Sequence, residues 1–139
     1  MEQHHYGYRV HTPLGYEAAV EAVTAALKHE GFGVLTTIDM QATLQAKLGV
    51  ETAPYAILGA CNPPLAHRAL TAEQEIGLLL PCNVIVYVNA AGQTVVSAID
   101  PEAMFMLVRR DDLAPIAREV GTRLQRALMM LPSVAAERP

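Results

Sequence analysis

Cys61 and Cys82 are the residues of this chain with the widest choice of chemistry. A thiol pair can cycle to a disulfide, and two thiolates can hold a soft metal ion. Redox use suits two sulfurs better, because a stable metal site wants three or four ligands. Cys61 runs into Asn62-Pro63-Pro64, and Leu80-Pro81 leads into Cys82. A helix opening at Pro63 or Pro64 would bring backbone amides towards Cys61 and favour its thiolate. Asn62 then has two readings: cap of that helix, with Pro63 in its first turn, or a group orienting a ligand beside Cys61. Asp100, ahead of Pro101, is a good N-cap and also a proton acceptor for a nearby thiol. The plain alternative is two small buried residues at strand ends, since free cysteine is among the most buried residue types. His4 and His5 are metal-ligand types in a terminal segment, which commonly stays loose. Met104, Met106, Met129 and Met130 are soft copper ligands by type, but their helical placement favours core filling or a dimer surface.

Whether these groups meet depends on the elements that carry them. Alternation and β-branched or aromatic content predict strands at 6–11, 33–38, 55–60, 84–88 and 94–99. The turn Asn89-Ala90-Ala91-Gly92 joins the last two as a hairpin. Tyr16, Val20, Val23 and Leu27 recur at helical spacing, with Glu17 and Glu21 early, Lys28 and His29 late, and Gly31 as the stop. Asp39 caps a short helix that Gly49 ends. Thr71 is read as a cap between two helical pieces of 65–80. A helix opens at Asp100-Pro101, and a last one begins at Asp111 or Asp112 with the stripe Leu113, Ile116, Val120, Leu124, Leu128 and Leu131.

A right-handed crossover between the first two strands, followed by an antiparallel meander, gives an α+β fold. The expected sheet is antiparallel and five-stranded, in the order 2-3-4-5-1, with two long helices on one face and short helical insertions. Residues 1–132 form the expected single domain and 133–139 a loose C-terminal tail. This topology brings Cys61, Cys82 and Asp100 to one end of the sheet, although the cysteines are 21 positions apart in sequence. The broken helical pattern of 63–81 favours a return to the same end over a parallel crossover. A crossover would separate the thiols by a strand length, about 17–20 Å.

The 139 residues suffice for one domain with a full core, without disulfides or metal. A 52% hydrophobic composition excludes disorder, and a net charge of −4 speaks against a nucleic-acid or anionic-membrane surface. The polar start, the short apolar runs and the two cysteines make the cytoplasm the expected location. There is no glycine-rich phosphate loop, HExxH, GxSxG or double CxxC, so hydrolase, kinase and zinc-ribbon chemistry have no motif to rest on.

The runs Gly31-Phe32-Gly33-Val34-Leu35, Leu58-Gly59-Ala60-Cys61-Asn62-Pro63, Leu80-Pro81-Cys82-Asn83 and Asp100-Pro101 with Met104 resemble domain-of-unknown-function family 302 from about Tyr6 to Met130. The resemblance implies a TATA-binding-protein-like unit with added helices, often dimeric, and no established activity. The ligand-binding candidates are therefore Cys61, Asn62, Pro63, Cys82 and Asp100, in a sheet-edge pocket for a small molecule or soft metal ion. In the alternative, a thiol-dependent redox or sulfur-handling enzyme, Cys61 is the nucleophile and Cys82 the resolving thiol. A third reading is a structural dimer without chemistry. A homodimer is the expected assembly, and no cofactor, nucleic acid or membrane partner is expected.

Overall fold

The computed structural model describes residues 1–137. Its strands are β1 (Glu2–His4), β2 (Gly7–Thr12), β3 (Gly33–Asp39), β4 (Tyr55–Cys61), β5 (Cys82–Val88) and β6 (Thr94–Ile99). They make one antiparallel sheet in the order β1-β2-β6-β5-β4-β3. The expected five-stranded sheet is corrected to six. The five expected strands keep their neighbours, and β1 adds outside β2, pairing Glu2 with Arg9 and His4 with Gly7. Its residues are all polar, so the strand shows none of the apolar alternation by which a half-buried strand is read.

Even-numbered positions of β4 and β5 turn one way. Ala56, Leu58, Ala60, Cys82, Val84 and Val86 are buried beneath helices, while Tyr55, Ile57, Ile85 and Tyr87 stay half-exposed on the other face. On that open face Tyr55 and Tyr87 stack with ring centroids 5.4 Å apart. Two long helices, α1 (Tyr16–His29) and the C-terminal helix at Ala114–Met129, cover the buried face, packing on each other and on β2, β5 and β6. In α1 the buried residues are Ala19, Val23, Ala26 and Leu27, so its contact line includes small residues that let it lie close to the sheet. No helix among the described residues is long and apolar enough to cross a membrane.

The connections are shorter helices. α2 (Met40–Leu48) is capped by Asp39 Oδ1, which accepts from Ala42 N, and stops at Gly49 with φ +66°. α3 (Pro63–Ala72) follows β4 directly and leads to a 3-10 stretch at Gln74–Leu79. Thr71 does not cap this stretch; it lies within α3 and donates to His67 O, and Glu73 caps instead. α4 (Pro101–Phe105) follows β6, two 3-10 turns follow at Met106–Val108 and Asp111–Leu113, and α5 (Ala114–Met129) ends the helical series. Within the expected tail 133–139, Val134 N donates to His11 O, and Gln93 bonds Ala135 O and Glu137 N. Arg138 and Pro139, the last residues of that expected tail, lie outside the described residues.

Candidate functional site

β4 and β5 are antiparallel with Ala60 opposite Cys82, so Cys61 and Cys82 stand on adjacent strands at the same end of the sheet. The return was legible from the sequence. The thiol pair was a different matter. Cys82 lies on the helix-covered face, Cys61 is the last residue of β4, and both cysteines are free. Cys82 is buried at 5% exposure, and Cys61 is half-buried. Burial, with a smaller contribution from Cys61, pushes the Cys82 thiol up to about 12. A thiol so placed is protonated near neutrality and is a poor resolving nucleophile.

The amides expected to favour a Cys61 thiolate are not on offer. Asn62 caps α3 by accepting from Leu65 N, at 3.3 Å, and Pro63 and Pro64 have no N–H. Ala66 N is held by Asn62 O. The other end of the Asn62 amide donates to Glu30 O at 3.4 Å, and Arg123 Nη1 donates to the same carbonyl at 3.2 Å. Asn62, buried at 6% exposure, is thus a bolt between the end of α1 and the start of α3.

Asp100 reaches the same end of the sheet but faces other work. Its Oδ1 accepts from Glu102 N at 3.0 Å, capping α4, and its own N–H bonds Tyr6 O. Burial first, and then the Asp100 carboxylate, hold the Tyr8 phenol above its ordinary value. His4 sits edge-on to Tyr6, with centroids 4.7 Å apart, and His5 lies in the turn before β2. Among the described residues, no group of three or more His, Cys, Asp or Glu side chains is arranged to hold a metal ion.

What does form at this end of the sheet is a cavity of about 240 Å³. Ala60 and Cys82 supply its floor, α3 supplies Leu65 and Ala69, and α5 supplies Ile116 and Val120. Phe32 and Phe105 close the sides, while Leu35 and Leu70, exposed at 67% and 41%, stand at its opening. Cys61 and Asn62 complete the wall with Pro81; Pro63 and Asp100 lie outside it. Sequence reasoning therefore named three of the wall residues and missed the apolar majority. Ile116 and Val120 read as ordinary core by periodicity, and the signal that space remains beside them was the row of small residues Ala60, Ala66 and Ala69. Leu35 comes to the opening because the β3–β4 register shifts between Val34 and Thr36, setting Leu35 out of the ladder.

A family model described as "Domain of unknown function DUF302" matches residues 8–131. The crystal structure of an uncharacterized conserved protein DUF302 from Bacillus stearothermophilus is similar, with 32% identity and a TM-score of 0.84 over 90% of this chain and 97% of that one. No curated protein matches the chain.

Proposed function

Since this chain belongs to the DUF302 family, whose description carries no activity, its function has to be read from its own cavity, and we propose that it binds a small apolar molecule there. The observation that carries this reading is the wall. Apart from two thiols and the Asn62 amide, it is built of hydrocarbon side chains from the sheet, α3, α4 and α5. A well-packed interior leaves few voids much larger than a water molecule, so a cavity of about 240 Å³ is a feature to be explained. Apolar cavities of about 150 Å³ stay dry and take up benzene in other proteins. This one has room for a larger ring system or a short chain.

The redox alternative draws less support. It needs Cys82 as a thiolate, and burial opposes that.

The test is a titration of wild-type protein with 2-acetylnaphthalene, followed by ligand fluorescence and by thermal unfolding. Saturable one-to-one binding with a raised Tm is expected. Ala66→Leu and Ala69→Leu should weaken binding at least tenfold by filling the cavity while keeping the fold. An absence of saturable binding in the wild type would sink the reading.

A further inference from the structure

We propose that the cavity selects uncharged ligands and rejects carboxylates, so that its natural occupant is a neutral aromatic or short aliphatic molecule. This deepens the binding function proposed above and rests on it. The selection comes from what the donors around the cavity are already doing.

An anion entering this end of the sheet would look first to the start of α3. There Pro63 and Pro64 supply no N–H, Leu65 N is spent on Asn62 Oδ1, and Ala66 N is spent on Asn62 O. The Asn62 amide nitrogen gives one of its two N–H groups to Glu30 O. On the opposite side Leu80 N bonds Gly77 O, and Pro81 has no N–H. Cations line neighbouring grooves instead, Arg68 and Arg123 beside Asn62 and Leu65, and Arg109 and Arg110 beside Phe105. Arg123 is engaged by Glu119 Oε1 at 2.8 Å and by Glu30 O. Among the described residues, no Lys, Arg or His enters the cavity wall. A carboxylate seated here would lose its hydration and meet no cation, with only the second Asn62 N–H and two weak thiol donors in return. A neutral ring gives up little and gains contact with the apolar wall and the soft sulfur of the cysteines.

The experiment compares two ligands of nearly the same shape, 2-acetylnaphthalene and 2-naphthoate, titrated into wild-type protein at pH 7. The neutral ligand should bind at least about 100-fold more tightly than the carboxylate. Binding of the acid should strengthen as the pH falls towards its own pKa. Ala66→Lys, which places an ammonium at the wall, should raise naphthoate affinity relative to the ketone. Equal binding of both ligands overturns the selection while leaving the cavity a binding site. Tighter binding of naphthoate overturns it as well. Failure of both ligands to bind removes the binding function and the selection with it.

Discussion

At the scale of single residues, the buried Cys82 thiol governs both a reactivity and a pH dependence. It is pushed up to about 12 from an ordinary 9.0, by burial first and by Cys61 second. Between those values the unfolded chain sheds the proton while the folded chain keeps it. The associated stability is therefore whole below pH 9 and falls as the pH rises towards 12. At pH 10 the loss should be roughly 1 kcal/mol. In urea unfolding, the stability gap between wild type and Cys82→Ala should be narrower at pH 10 than at pH 7 by about that amount. A gap independent of pH contradicts it. The same burial predicts that iodoacetamide at pH 7.5 modifies native protein once, at Cys61. Modification of both cysteines before unfolding, seen by peptide mass analysis, would refute the placement of Cys82.

At the scale of elements, two junctions set the geometry of the cavity. Asn62 joins α1 to α3 through its two amide ends, so Asn62→Ala should cost about 1–2 kcal/mol in denaturant unfolding. Asn62→Asp, which keeps the cap and loses the donor to Glu30 O, should fall between. Indistinguishable stabilities would show the junction to be idle. Gly59 is the second: a Cβ there would collide with Thr36 Oγ1 and come within 2.8 Å of Pro81 Cγ. Gly59→Ala should destabilise by roughly 1–3 kcal/mol, with Thr36→Ala relieving part of it. A neutral Gly59→Ala would mean that Pro81 gives way freely. These junctions also mark the limit of what could be read beforehand. Caps such as Asp39 and Asn62, the stop at Gly49 and the strand ends near prolines are local chemistry and were legible as such. The partner of the Asn62 amide nitrogen lies 32 positions away, at Glu30. That partner, like the space left between α3, α5 and the sheet, depends on packing that no local pattern encodes. β1 escaped notice for the opposite reason, since an all-polar edge strand carries no pattern at all.

At the scale of the whole molecule, part of the apolar surface has no cover within the chain. α2 buries none of its residues, and Leu48, Val50 and Ile38 around it are 69%, 42% and 45% exposed. Met129 and Met130 at the end of α5 are likewise exposed. We expect a homodimer, with twice the 15.0 kDa chain mass in sedimentation at micromolar concentration. A single species at the chain mass would remove that expectation. The other exposed element is β3, whose outer backbone edge is unpaired within the sheet. A seven-residue strand with charge only at its last position would be an open template for further chains, and fibres grow by that route. The shifted register at Val34/Thr36 interrupts the template in its first half. The kink that brings Leu35 to the cavity opening is thus also a guard against polymerisation: deleting Leu35 should restore a straight edge and leave a protein that aggregates on standing.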